Sequence, residues 1–407
     1  MRNAAGVWRR HAYSFIRFTG PDTAAWLQSQ TTNDVVKLES GQGHHNALLD
    51  RKGYLQAHFT LHRWEDEYWA VIEELQTAHF LAQLDAHLFL ENVQMEDASA
   101  DVDQLVIQGP RAAWVLARLV SGGLFTATQA LPRTSHAVQP MELAGQQVLV
   151  ARGGPPMDDA YVLIAEAGQG ALLFEAALDA GKDLGVVQVS EEAQNILRIE
   201  AGYPRFGADM DSDNRLPETT IERYTVSWDK GCYLGQEVIA KLRTYSTVRR
   251  ALMGLVLEDK TGAFPPPGAT LTLDGKAVGD IRSSCWSPAL EGPIALAYLD
   301  RDYRAPGAIR TFDTPEHGSV MAKVVVLPFV ETPSAEDRAR QLYDEALERF
   351  DKDHEDTDET AIHLLEEAIL LAPAFEDAYE TLGVILHRHG RVDEAIQFMK
   401  VLAELNP

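Results

Sequence analysis

The string Lys230-Gly231-Cys232-Tyr233-Leu234-Gly235-Gln236-Glu237 sets a thiol beside a cation and between two glycines. A neighbouring cation lowers a thiol pKa and raises the fraction of thiolate, the nucleophilic form. Glycines at 231 and 235 allow the backbone to approach a ligand closely. The polar flanks of Cys232 argue against burial, whereas Cys285, in Ser283-Ser284-Cys285-Trp286, sits in a β-rich stretch and reads as structural. Upstream, Glu200 follows the apolar residues Ile196, Leu197 and Ile199 and precedes Ala201-Gly202, where a helix stops. A carboxylate there can accept paired N–H donors from a heterocycle. The plainer alternative is an ion pair with Arg198, Lys230 or Lys241.

Other candidate groups carry less chemistry. His44-His45 has neither a helical partner nor a nearby cysteine for zinc and reads as a solvated turn. Asp209, Asp211 and Asp213 read as a flexible acidic loop without metal. Gly153-Gly154-Pro155-Pro156 is a turn, since no Lys-Ser or Lys-Thr follows to make a phosphate loop. Asp351, Asp353 and Glu355 alternate as in a calcium loop, but the glycine at its sixth place and the glutamate at its twelfth are missing. No metal site is expected.

These motifs need elements to position them. At 407 residues the chain exceeds one ordinary core and should fold as several domains. Short β-type runs (58–62, 68–72, 105–108 and 147–151) alternate with helical stretches at 22–30, 75–84 and 111–120, which gives an α+β pattern over 1–249. Over 250–330, strands at 253–257, 270–273 and 324–327 are separated by Pro265-Pro266-Pro267-Gly268, Asp274-Gly275 and Pro306-Gly307, the pattern of a small antiparallel β-barrel or sandwich. From 331 to 407 the pattern turns helical and acidic. Pro373 and Pro407, Ala361 and Ala395, and Leu365 and Met399 recur at the spacing of a tetratricopeptide repeat, which predicts two helical hairpins.

A net charge of −25 opposes direct nucleic-acid binding, and about half of it lies in the tail, where it favours a basic partner. Two cysteines give no disulfide framework, and no apolar stretch is long enough for a signal or a membrane span. A cytoplasmic protein is expected.

LRIEAGYPRFGADM at 197–210, Leu216-Pro217-Glu218 and the KGCYLGQEVIAK string together resemble the signature of the YgfZ family, folate-binding proteins related to the aminomethyltransferase of the glycine cleavage system. WLQSQTTNDV at 26–35 and ALLDRKG at 47–53 resemble that family's first domain. The resemblance covers about 8–330 and implies three subdomains around a channel for tetrahydrofolate. It implies Glu200 as the pterin carboxylate and Cys232 as the working thiol. Lys230, Tyr233, Gln236, Glu237, Gln30, Asn33 and Arg243 are implied around the ligand, with Lys241, Arg249 and Arg250 as further cations for its carboxylates.

The related transferases carry an acidic pair where this chain has Gln56-Ala57, neither of which transfers protons near neutral pH. His58 follows and reads as structural. The first expectation is therefore an accessory factor for assembly or repair of iron–sulfur clusters, acting through Cys232, indirectly supporting tRNA-modifying enzymes and meeting its client through the acidic tail. The alternatives are a folate-dependent aminomethyl or methyl transferase, and a non-catalytic adaptor acting through the tail.

Overall fold

The computed structural model describes residues 4–121, 123–153, 159–245, 248–260, 265–314, 318–331, 333–350 and 355–405. The α+β architecture is built from two antiparallel-rich sheets, a closed six-stranded barrel and a set of C-terminal helices. The first sheet runs in the order Gln42–Leu49, Leu55–Trp64, Glu67–Glu73, Tyr13–Thr19, Gln94–Asp97. Alternation along Leu55–Trp64 gives it two distinct faces. Ala57, Phe59 and Leu61 pack under Phe80 of helix Glu74–Asp85, while His58 and His62 face away from that core. Burial of each large side chain on the helix-covered face contributes about 1.5–3 kcal/mol.

The second sheet is ordered Val187–Gln188, Gly6–Arg9, Val102–Gln108, Ala160–Glu166, Gln146–Arg152, Val138–Leu143. The chain thus begins in the second sheet and crosses to the first at residues 10–12. That crossing forms a seam between the two sheets. Helix Glu191–Glu200, capped by Ser190 Oγ accepting from the Ala193 N–H at 3.2 Å, leads to Gly202, which has φ +66° and lies against Leu327.

The barrel spans Arg250–Leu257 to Gly318–Val325. Asp274 and Gly275, both at positive φ, make the two-residue turn between Thr270–Leu273 and Lys276–Ser287. The tail folds as helices Ala335–Phe350, Glu355–Leu371, Glu376–Arg388 and Val392–Leu405. Gly383 leaves room for Met399, whose Sδ lies 2.8 Å from where a Cβ would stand. The tail does not stand alone. Leu370 joins the core of the second sheet, Phe125 packs edge-on against Phe398, and Arg111 and Arg338 pair with Glu367 and Asp159. Residues 351–354 of the calcium-like loop, and 154–156 of the Gly-Pro turn, lie outside the described residues. Among the described residues no helix is long and apolar enough to cross a membrane.

Candidate functional site

Because residues 10–12 cross between sheets, the side chains around them meet at the seam from elements far apart in sequence. A cavity of about 340 Å³ opens there, bounded by Arg10, Tyr13, Glu73, Arg198, Tyr203 and Arg205. A second, of about 600 Å³, shares Arg9, Arg10, His11 and Tyr13 with it and extends toward Glu74 and Asp103. The walls are cationic, with each arginine held differently. Arg9 pairs with Asp103 at 3.0 Å, and Arg198 with the fully buried Asp209, at 2.5 Å. Arg205 Nε lies 3.4 Å from Glu73 Oε1. Arg10 lies 3.7 Å over the Tyr13 ring and makes no ion pair among the described residues.

Glu73 is the more buried of the two carboxylates that line this cavity, the other being the exposed Glu191. It ends a strand of the first sheet, is paired in register with Tyr13, and its side chain is 12% exposed. Burial raises its pKa, opposed by Arg205, Arg10 and Arg198. Beside it the Tyr203 phenol is pushed well up by burial, and Tyr203 stacks toward Tyr224 at 6.5 Å. Behind these rings lies a histidine cluster. His45 stacks on His58 at 5.3 Å and meets His136 edge-on at 4.5 Å, and His136 reaches His62. Burial lowers His58 and His62 to about 4 and His136 to about 3, so all three are neutral at pH 7. Among the described residues no group of three or more His, Cys, Asp and Glu is arranged to hold a metal ion.

The 230–237 string lies elsewhere, against the end of helix Thr23–Gln30. The Lys230 ammonium donates to the carbonyls of Gln28, Thr31 and Asn33 at 2.6, 2.6 and 2.9 Å and sits 5.1 Å over the Tyr233 ring. Burial pushes its pKa down to about 8. The cation expected to activate Cys232 is thus committed to closing a helix terminus. Cys232 is exposed, and its thiol has no hydrogen bond or ion pair among the described residues. Gly235, at φ +82°, is needed because a Cβ would stand 2.6 Å from Asp50 O, so its close approach serves the chain's own 50–53 turn; Gly231 borders open space.

The structure places the other expected site residues as follows. Tyr233 is buried beside Leu49 and Leu55, and its hydroxyl has no hydrogen-bond partner among the described residues. Glu237 is exposed and pairs with Lys241 at 2.6 Å, and Gln236 opens helix Gln236–Tyr245. Gln30 Nε2 donates to Ser29 Oγ, and Asn33 Nδ2 to the His45 carbonyl. Arg243 stacks 4.1 Å over Trp228, Arg250 pairs with Glu218, and Arg249 lies beside Asp300. Glu200 is 2% exposed, and its Oε1 accepts from Ser287 Oγ at 2.6 Å and from the Ala289 N–H at 3.3 Å. Its carboxylate therefore faces the barrel, while its neighbours Leu197, Arg198 and Ala201 line the cavity.

Two expectations are corrected. His44-His45 is not a solvated turn; it lies within strand Gln42–Leu49, where pairing with Leu55–Trp64 turns His45 into the aromatic cluster. The loop of Asp209, Asp211 and Asp213 is pinned rather than free, because Asp209 holds Arg198 and the Arg205 N–H and Asp211 pairs with Arg282. Cys285 is buried beside Ile294, and burial and the Glu200 charge push its thiol up to about 12. Arg10 and Glu73 carry no signal in the sequence, since neither lies in a motif. Arg205 lay inside the recognised string but had no role assigned.

Comparison with known proteins agrees with this architecture. Residues 1–230 match the GCVT N-terminal domain, and residues 250–331 the glycine cleavage T-protein C-terminal barrel domain. An aminomethyltransferase of Thermus thermophilus is 31% identical over 81% of this chain and 88% of its own length. One from Halalkalibacterium halodurans is 28% identical over 81% and 87%. The crystal structure of the glycine cleavage system aminomethyltransferase T from Bartonella henselae superposes with a TM-score of 0.70 at 22% identity, covering 81% of this chain and 87% of that one. With both of its domains matched in order, and with the two sheets and the barrel in place, the chain belongs to the glycine cleavage T-protein family.

Proposed function

We propose that the chain binds tetrahydrofolate in the seam cavity and transfers a one-carbon group on it, as an aminomethyltransferase-type protein. The observation that carries this reading is the cavity itself. Arginines on its walls suit the carboxylates of a folate tail, and a carboxylate and two tyrosines at its floor suit a pterin ring. The names of its relatives support the transferase class. Calorimetric titration of tetrahydrofolate into the wild type, Glu200→Ala and Cys232→Ala tests it, followed by turnover of aminomethyl and methylated amine donors. Binding together with methylene-folate product is the expected result; binding without product overturns the transferase reading. Loss of binding in Glu200→Ala alone would instead place the pterin at the Ser287-bonded carboxylate and overturn the seam cavity as its site.

A second reading is favoured by the exposed thiol of Cys232 in its YgfZ-like string. In it the folate protein maintains iron–sulfur clusters in the cytoplasm, and the acidic, tetratricopeptide-like tail meets the client. Cys232→Ala should then fold and bind folate yet fail to restore cluster-enzyme activity in a deletion strain. Full rescue by that variant sinks this second role and leaves the first untouched.

A further inference from the structure

We infer that Glu73 is the proton-exchanging carboxylate of the seam cavity, filling the role that Gln56 and Ala57 cannot. The inference rests on the folate reading above. Residues 56 and 57 are unsuitable in position as well as in type. Gln56 Oε1 meets His79 Nε2 at 3.0 Å on helix Glu74–Asp85, and Ala57 is buried with Phe59 and Leu61. Neither lines the cavity, whereas Glu73, one strand over, does.

Its placement is fixed by backbone on both sides. Glu73 pairs with Tyr13 across the sheet, and the next N–H, of Glu74, donates to Ala12 O at 2.9 Å. The carboxylate therefore sits at the mouth of the chain crossing. The groups facing it are Arg10 and Tyr13 from the crossing, Arg198 from helix Glu191–Glu200, and Tyr203 and Arg205 from the loop beyond. Burial favours the protonated acid and the arginines favour the anion. Held between these opposing influences, the group can exchange a proton with a ligand nitrogen. In the step assigned to it, a protonated ligand nitrogen gives its proton to the Glu73 carboxylate. The N–H electron pair stays on nitrogen, and the carboxylic acid later releases the proton to solvent.

Proton linkage tests this without any assay of turnover. Tetrahydrofolate is titrated into the full-length protein at about pH 6 in two buffers of different ionisation heat, so that proton exchange is read from the difference. The wild type should exchange up to about one proton, and Glu73→Gln roughly none, with both proteins binding. Arg205→Met keeps the carboxyl but removes its nearest cation, so the pH of half-maximal exchange should rise by about one unit. Should Glu73→Gln fail to fold, that shift decides the matter alone. Wild-type binding without proton exchange, equal exchange in Glu73→Gln, or an unmoved midpoint in Arg205→Met overturns the assignment of Glu73. No binding by the wild type overturns the folate reading itself, and this inference with it.

Discussion

The seam cavity and the 230–237 loop differ in how each is assembled. The loop is contiguous in sequence, and most of it turns out to be a fastening. Lys230 closes three carbonyls at a helix end and Gly235 fits against Asp50, while Cys232 is left facing solvent with Gly231 and Glu237. The cavity is scattered in sequence, its charged groups arriving from residues 10, 73, 198 and 205, yet it gathers opposed charges beside a histidine cluster. A dense motif therefore marks the place where the fold is locked as readily as the place where chemistry occurs.

The largest expected effect lies behind the cavity floor. His58, His62 and His136 have folded pKa values lowered by burial, so the unfolded chain binds more protons than the folded one between about pH 6.5 and 4. Stability should fall as pH drops through that window, by about 3 kcal/mol for each histidine at full titration. Denaturant melts across the window measure this, and His58→Phe should flatten the slope. A slope unchanged in that variant would mean the cluster hydrates before it charges.

The cavity wall comes next. Asp209 is fully buried, and its Oδ2 accepts from Arg198 and from the Arg205 N–H. Asp209→Ala strands a half-buried guanidinium and should cost about 3–5 kcal/mol. A loss below about 1 kcal/mol would show that Arg198 finds another partner, Asn195 or Ser283 being within reach. On the loop, Lys230→Met preserves bulk but leaves three carbonyls without their donor, and a loss of about 2–3 kcal/mol is expected from the same melts.

The same contrast explains what could be read in advance. Local chemistry was legible: Asp274-Gly275 specified its turn, Ala201-Gly202 its helix stop, and the spacing after Ala361 its helices. The order of an α+β region, a barrel and C-terminal helices was legible from the turn signals and from the motifs that resemble one family. Arg10 and Glu73 were illegible because their significance arises only when the chain crosses between sheets. His45 lies in a strand rather than a turn because the apolar run Ala47-Leu48-Leu49 buries the end of Gln42–Leu49. The tail's dependence on the second sheet was also hidden, and it alters how a deletion of 331–407 must be interpreted, since removal uncovers Leu124 and Phe125.

The smallest expected effect concerns the thiol itself. Cys232 is exposed and makes no contact that folding needs, so Cys232→Ser should change stability by less than about 0.5 kcal/mol. Alkylation of the native protein should label Cys232 and spare the buried Cys285, whose thiol is pushed up to about 12, until the chain unfolds. The informative arm is the double test with Lys230. Its ammonium is occupied by carbonyls, so Lys230→Met should leave the Cys232 alkylation rate within about twofold once both proteins are confirmed folded. A tenfold fall, of about 1.4 kcal/mol in activation free energy, would restore the lysine as activator of the thiol and return the chemistry to the loop.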